Sequence, residues 1–172
     1  MQSPCFVPIY KYGVEVPLRF WLMKSEAECF SYKDLMNAQN QTTCWDGVRN
    51  YEARNMMRDE MKIGDKVLYY HSNAEPPGVA GIAVVSTEGY PDDTAFDPTH
   101  EHFHPKSDPD NPMWFMVDIT AHEEFPHYVT LPELRTVPEL AEMKIFTRNR
   151  LSVSEVTSDE FRRVCAMGRK KK

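Results

Sequence analysis

Short apolar runs separated by polar turns predict several strands and a few peripheral helices. Aromatic and β-branched residues are frequent in the runs over residues 19–25, 66–71, 79–87 and 113–122, which favours strands there. Gly81 lies inside the third run and predicts a bulge or a close backbone contact. Several strands with short peripheral helices predict an α+β fold built on a curved sheet or an open barrel.

Two capping sequences locate the start of helices. Ser31, with Asp34 three residues later, predicts a capping box in front of a short helix over residues 32–37. Thr157 with Glu160 predicts the same arrangement before the last helix, in which apolar residues follow at helical spacing.

A longer helix is predicted over residues 48–59, directly after a turn at Asp46 and Gly47. A helix that begins there leaves its first-turn amide groups free to bind an anion or a carbonyl group.

Two prolines weaken the helical pattern over residues 131–140. Residues 90–112 are predicted to form a long, proline-rich and acidic loop, and loops of this length are often functional.

Length and composition indicate one globular domain. The chain has 172 residues, of which 41% are hydrophobic and 27% are charged, and these proportions are ordinary for a soluble protein. No apolar run approaches the length that a membrane helix requires, and the first residues do not resemble a signal peptide. We therefore expect an intracellular protein of the nucleus or cytoplasm, without a membrane partner, for which a monomer is favoured.

Charge and cysteine content narrow the function classes. The formal net charge of −6 argues against a protein that coats duplex nucleic acid through phosphate contacts, but not against a pocket for one base. The four cysteines, Cys5, Cys29, Cys44 and Cys165, form no C-x-x-C pair, which predicts reduced thiols in an intracellular protein. Residues 169–172 are all basic and predict a solvated tail.

Polar and aromatic side chains are concentrated in three segments, residues 21–26, 42–55 and 69–73. Each segment places polar groups where a predicted strand ends or a predicted helix begins, which is where pockets form. Trp45 precedes the predicted helix and offers a flat wall on which an extruded base can stack. Trp21 lies inside a strand, so packing in the core is the alternative role for its side chain.

Several blocks of the sequence resemble one family, in that family's order. They are WLMKSE at 21–26, CWDGVRNY at 44–51, YHSN at 70–73, residues 78–81, NPMWFMVD at 111–118 and FTRNRLS at 146–152. On these blocks the chain resembles the EVE domain family, in its thymocyte nuclear protein type, over residues 20–164. One departure is Ala27, where the family usually has proline.

The resemblance implies both a fold and a function. The fold is PUA-like, a small curved β-sheet or pseudo-barrel with short peripheral helices, in a superfamily that also contains the YTH domains. The implied boundaries are an N-terminal extension over residues 1–19, the EVE domain over 20–167 and a basic C-terminal tail over 168–172. The implied function is a non-catalytic module that captures a modified nucleobase, such as a modified cytosine or a methylated adenine, in DNA or RNA, without a cofactor.

The predicted pocket has Trp45 as its aromatic wall. Its other predicted members are Lys24, Ser25, Tyr70, His71, Ser72, Asn73 and Trp21. The predicted contacts to the phosphate backbone are Arg49, Asn50, Arg54, Arg148 and Arg150. Capping, turn bonding and local salt bridges are the alternative roles for the polar members. On the pocket hypothesis, Trp45→Ala removes the preference for a modified base and leaves the fold intact.

Three other functions stay open. His100, His102 and His104 alternate along the proline-rich loop and raise the alternative of a metal-dependent enzyme, but the loop does not hold them on one strand face, and no metal site is predicted. Cys44 with His71 raises the alternative of a cysteine–histidine dyad, which no surrounding motif supports. The third alternative is a protein-interaction module without a role in nucleic-acid binding.

Overall fold

The computed structural model describes residues 9–11 and 14–171. The strands are β1 (Ile9–Lys11), β2 (Val14–Val16), β3 (Phe20–Glu26), β4 (Thr42–Cys44), β5 (Lys66–Ser72), β6 (Gly78–Pro91), β7 (Phe115–Thr130) and β8 (Val153–Val156). The α-helices are α1 (Tyr32–Asn37), α2 (Tyr51–Asn55), α3 (Leu131–Arg135), α4 (Lys144–Thr147) and α5 (Ser158–Gly168). None of the described helices is long and apolar enough to cross a membrane.

Six strands form one mixed sheet, in the order β4-β7-β6-β5-β3-β8. β3 and β5 run parallel, from Phe20 beside Lys66 to Glu26 beside Ser72, and the other neighbours are antiparallel. β1 and β2 pair separately in a two-stranded antiparallel sheet, within the segment predicted as an N-terminal extension. The mixed sheet with short helices around it confirms the predicted α+β class.

The long strands β6 and β7 bend the sheet. Their pairing shifts register at four places along β6, and each irregularity increases the local twist. Gly81 lies at one of these shifts, where a Cβ atom would come within 2.4 Å of the carbonyl oxygen of Glu123. The close backbone contact predicted at Gly81 is therefore confirmed, and the sheet is curved and open.

Both faces of the sheet are buried. In β3, Trp21 packs into one apolar cluster and Leu22 packs into the other, as the alternation of side chains along a strand requires. In β5, Tyr69 belongs to the first cluster and Tyr70 to the second. Trp45 joins the first cluster, so the residues around Trp45 lie on the face that carries Trp21 and Tyr69.

The helix predicted over residues 48–59 begins later than expected. Asn50, predicted as a phosphate contact, is its N-cap and accepts the N–H of Ala53 at 3.0 Å. α2 therefore begins at Tyr51 and continues into a π-helical turn, Met56–Glu60. The predicted start at residue 48 is wrong, because the chain before Tyr51 is irregular. The Asn50 side chain also occupies one of the first-turn amides that were predicted to be free.

The capping predictions are confirmed and the tail prediction is corrected. Capping boxes stand at Ser31 before α1 and at Thr157 before α5. Arg169, the first residue after α5, donates two hydrogen bonds to the carboxylate of Glu123, at 2.8 and 2.7 Å. Arg169 is therefore tied to the domain. The exposed part of the tail begins at Lys170, which has no side-chain partner among the described residues.

Candidate functional site

A cleft opens at the carboxyl end of β3, on the face of the sheet that carries Trp45. Its volume is about 610 Å³, which lies within the range of small-molecule sites. The cleft is lined by residues 24–26, 29, 30, 43–49, 102 and 152. Its wall is therefore assembled from the end of β3, the turn after it, β4 with the loop that follows, the proline-rich loop, and the residue ahead of β8.

Trp45 lines the cleft but belongs to the core. The residue is 8% exposed, and its indole meets the ring of Tyr69 edge to face, with ring centroids 5.5 Å apart. Its amide N–H donates to the carbonyl oxygen of Val117 at 2.8 Å, which continues the pairing of β4 with β7. Phe30 also belongs to the lining. The predicted aromatic wall is present, although little of the indole reaches the cleft.

Gly47 allows two loops to pack closely at the cleft. Its φ angle is +74°, in the left-handed region that favours glycine, and a Cβ atom there would lie 2.4 Å from Cε1 of His102. The imidazole of His102 therefore sits directly against the backbone of Gly47. This contact brings the proline-rich loop into the wall of the cleft.

Asp92 supports this wall from inside. It is fully buried, and its Oδ2 atom accepts the N–H of Gly47 at 2.9 Å and Nη1 of Arg49 at 2.8 Å. Burial alone would raise the pKa of this carboxyl, but hydrogen bonds from Thr94, Arg49 and Gly47 hold the pKa of Asp92 below its ordinary value. Arg49 also donates from Nη2 to the carbonyl oxygen of His102 at 2.5 Å. Arg49, predicted as a phosphate contact, lines the cleft, and its charge is paired with Asp92.

The end of β3 supplies an ammonium group and a hydroxyl to the cleft. Nζ of Lys24 donates to the carbonyl oxygen of Asn149 at 2.7 Å, and burial lowers the pKa of this ammonium group. Oγ of Ser25 donates to the carbonyl oxygen of Phe30 at 2.7 Å, which also accepts the hydroxyl of Tyr69 at 2.8 Å. Lys24 and Ser25, both predicted pocket residues, line the cleft.

Asp46 and His102 are lining residues with unused hydrogen-bonding capacity. Oδ2 of Asp46 lies 3.5 Å from Nδ1 of His102. Within the described part of the chain, Nδ1 of His102 is buried without a hydrogen-bond partner, and no hydrogen bond joins the Asp46 carboxylate to another residue. The carboxylate of Asp46 can therefore bind the polar edge of a ligand without breaking a hydrogen bond inside the protein.

Two residues predicted for the pocket lie in the core instead. Trp21 is fully buried, and its indole Nε1 donates to Oδ2 of Asp65 at 2.9 Å. Tyr70 is 3% exposed and packs on the opposite face of the sheet from Trp45. The prediction for Trp21 is wrong because a buried carboxylate satisfies the indole. The prediction for Tyr70 is wrong because alternate residues of a strand face opposite sides.

The end of β5 supports the cleft without lining it. Nε2 of His71 accepts the N–H of Tyr32 at 3.0 Å, and burial lowers the pKa of this imidazole. Ser72 pairs with Glu26 in the parallel register, and Nδ2 of Asn73 donates to Oε1 of Glu26 at 2.9 Å. Of these predicted pocket residues, Asn73 acts on the cleft indirectly, by orienting the lining residue Glu26.

The arginines predicted to contact phosphate, apart from Arg49, do not line the cleft. The guanidinium group of Arg54 lies over the ring of Tyr51, 5.0 Å from its centroid. Arg148 is paired with Glu52, and Arg150 is exposed. Contacts of these arginines to a nucleic-acid backbone that passes outside the cleft stay predictions.

The alternating histidines of the proline-rich loop do not form one cluster. His104 packs against Trp114, with ring centroids 5.4 Å apart. His100 and His102 lie together, with centroids 5.0 Å apart, and Asp46 completes a group whose ligand atoms are close to one another. The third member of the cluster is therefore a carboxylate from the Trp45 loop and not the third histidine.

The geometry does not support a cysteine–histidine dyad. Cys44 lines the cleft but His71 does not, and burial, followed by nearby carboxylates, raises the pKa of the Cys44 thiol. A raised pKa opposes formation of the thiolate that nucleophilic chemistry needs. Cys29, Cys44 and Cys165 have free thiols, and Cys5 lies outside the described residues.

The pocket prediction omitted part of the lining. The omitted lining residues are Glu26, Cys29, Phe30, Thr43, Cys44, Asp46, Gly47, Val48, His102 and Ser152. Asp46 stands next to Trp45 within the CWDGVRNY block, so its place in the lining could have been predicted from the sequence. His102 and Ser152 come from distant segments, and nothing in the local sequence connects them with Trp45.

Comparison with known proteins gives one family. A model described as the EVE domain matches residues 19–167. Thymocyte nuclear protein 1 of Homo sapiens is 42% identical over 158 residues, which are 82% of this chain and 70% of the relative. A solved hypothetical protein from Leishmania major is 46% identical, with a TM-score of 0.84 over 88% of this chain and 95% of that chain. Human THYN1, solved in complex with DNA that contains 5-methylcytosine, is 40% identical, with a TM-score of 0.85 over 90% of this chain and 99% of that chain.

Proposed function

This chain belongs to the EVE domain family, and we propose that it is a non-catalytic, monomeric module of the nucleus or cytoplasm that binds one modified nucleobase. The base we propose first is 5-methylcytosine in DNA. The observation that carries the proposal is a cleft with apolar rings and free polar groups in its lining. It lies in a chain 40% identical, over 90% of its length, to a relative whose structure contains DNA with 5-methylcytosine.

The apolar part of the lining suits the faces and the methyl group of a base. A base must leave the helical stack before a cleft can enclose it. Phe30, Val48 and the accessible part of Trp45 offer apolar contacts to such a base, and contacts of this kind to aromatic residues contribute about 1–3 kcal/mol. Burial of the 5-methyl group contributes roughly 0.8 kcal/mol more, which corresponds to about a fourfold preference over unmodified cytosine.

The polar part of the lining suits the edge of cytosine. The exocyclic amine of cytosine is a donor, and carboxylates are its usual acceptors in proteins. Asp46 offers a carboxylate that no hydrogen bond occupies within the described residues. Lys24 lies in the same lining, and its ammonium group, which uses one donor on Asn149, has two more for the acceptor atoms of the base. Thymine carries an oxygen in place of the amine, so a carboxylate at this position disfavours it.

Asp46→Asn is expected to weaken binding to a short DNA that carries one unpaired 5-methylcytosine by about tenfold or more, because a hydrogen bond to a charged group contributes about 1.5–3 kcal/mol. Fluorescence anisotropy titrations at one salt concentration, in the presence of a chelator, measure the affinity. Parallel arms use the unmodified DNA, and RNA with and without 6-methyladenine. Wild-type protein is expected to bind the methylcytosine DNA more tightly than its unmodified counterpart.

Asp110→Asn is the matched control for this experiment. Asp110 is exposed, lies on the proline-rich loop outside the cleft lining, and loses the same charge. Removal of one negative charge by itself strengthens DNA binding by both variants. A loss of affinity that occurs only in Asp46→Asn therefore reports the lost contact and not the changed charge. Wild-type protein that shows no preference for any of the modified bases overturns the proposal and favours the protein-interaction alternative.

A further inference from the structure

Asp46, His100 and His102 have the composition and the spacing of a metal site. One ligand atom from each lies within 4.8 Å of the others. Nitrogen and oxygen ligands about 2.1 Å from a tetrahedral ion are about 3.4 Å from each other, and Oδ2 of Asp46 is 3.5 Å from Nδ1 of His102. Two of the three ligand atoms therefore already stand at the separation that a bound ion requires.

His102 offers a nitrogen that has no other use within the described structure. Its Nδ1 atom is buried and has no hydrogen-bond partner, and a buried polar atom of this kind calls for an explanation. The ring is held in place by its contact with Gly47, and the backbone carbonyl is held by Arg49. The contact with Gly47 thus holds Nδ1 of His102 at 3.5 Å from Oδ2 of Asp46.

His100 needs only a local change to join these two residues. Its Nδ1 atom accepts the backbone N–H of His102 at 3.1 Å, which places the two imidazole rings side by side. Coordination requires His100 to release that N–H. Either Nδ1 itself binds the ion, or Nε2 binds the ion after its proton has moved to Nδ1, which can then no longer accept a hydrogen bond.

Two imidazoles with one carboxylate select divalent transition metals such as zinc over calcium or magnesium. The positive charge of Arg49, which donates to the backbone of His102, is neutralised by Asp92 at 2.8 Å and so does not oppose a second cation. We propose that Asp46, His100 and His102 bind one zinc-class divalent ion at the wall of the cleft. Three protein ligands leave a tetrahedral ion with one open position, and Asp46 and His102 both border the cleft.

The proposal is tested by titrating the full-length reduced protein with zinc chloride in a calorimeter. Wild-type protein is expected to bind one equivalent, and His102→Ala and Asp46→Asn are each expected to weaken binding by at least about tenfold. Zinc is also expected to raise the unfolding temperature of wild-type protein more than that of either variant, since only a ligand of the folded state stabilises it. Circular dichroism establishes that the variants are folded.

Two controls identify the ligands. His122→Ala removes an exposed histidine of β7 and is expected to leave zinc binding unchanged. The double variant Cys29→Ser/Cys44→Ser removes two thiols that line the same cleft, and thiolates are strong zinc ligands. Binding that survives in His102→Ala and Asp46→Asn but is lost in the double cysteine variant overturns the proposal, as does the absence of one-to-one binding by wild-type protein.

The zinc experiment and the nucleobase experiment fail independently. Asp46 takes part in both proposals, so the zinc titrations contain no DNA and the DNA titrations contain a chelator. Loss of zinc binding in His102→Ala with normal recognition of 5-methylcytosine supports the metal site and the reader together. One-to-one zinc binding in a protein that ignores modified bases supports the metal site alone.

Discussion

Trp45→Ala is expected to lower the free energy of unfolding by about 3–5 kcal/mol, the usual cost of truncating a buried tryptophan. Trp45 is only 8% exposed and belongs to the apolar cluster on the cleft side of the sheet. Its removal leaves a cavity beside Tyr69, whose ring meets the indole edge to face. Because domains are stable by only about 5–15 kcal/mol, this loss is a large part of the total.

Urea denaturation followed by circular dichroism measures this effect. Tyr51→Ala is the matched control, since Tyr51 is an aromatic residue of the same region but is 55% exposed. Its truncation is expected to cost less than about 1 kcal/mol, as is typical of surface positions. If Trp45→Ala unfolds at the same urea concentration as the wild type, the assignment of the indole to the core is wrong.

The expected instability changes how the base-reading role of Trp45 must be tested. The sequence predicts that Trp45→Ala leaves the fold intact, but a variant that loses several kcal/mol also loses binding for reasons unrelated to stacking. Trp45→Phe keeps an aromatic ring and most of the packing. Reduced affinity for a modified base in this variant, at nearly unchanged stability, would separate contact with the base from support of the core.

Local signals explain the parts of the fold that the sequence predicts correctly. The capping boxes at Ser31 and Thr157 depend on residues within one helical turn, and both are present. The close contact at Gly81 follows from the absence of a Cβ atom in an apolar run. The predicted start of α2 was wrong because Asn50, and not the turn at Asp46 and Gly47, is the N-cap.

The cleft was predicted only in part, because its wall is closed by contacts between distant segments. Lys24, Ser25 and Trp45 stand in blocks whose polar and aromatic content marks them, and they line the cleft. Tyr70 stands in a similar block but faces the other side of the sheet. When a strand is apolar on both faces, its sequence does not reveal which residues face the cleft. His102 joins the wall through Gly47 and Arg49, across a sequence distance that no local pattern spans.

Asp92→Ala is expected to lower the free energy of unfolding by about 3 kcal/mol, near the lower end of the range for breaking a buried ion pair. The side chain of Asp92 is completely buried, whereas that of Arg49 is 23% exposed, so water can partly satisfy the guanidinium group that is left behind. The N–H of Gly47 also loses its acceptor. Because Gly47 and Arg49 both contact His102, the same change should loosen the wall of the cleft and weaken base binding.

The cost of Asp92→Ala should shrink as the solution becomes acidic. The hydrogen bonds from Thr94, Arg49 and Gly47 depress the pKa of Asp92 in the folded state, relative to about 3.9 in the unfolded chain. A carboxyl with a depressed folded pKa contributes full stability above the unfolded pKa and loses that contribution as the pH falls through the folded pKa. Denaturation of both proteins from neutral to acidic pH measures the difference, with the exposed neighbour Asp93→Ala as the control. A difference that stays constant or grows in acid would show that packing, rather than the charge of Asp92, supports the wall.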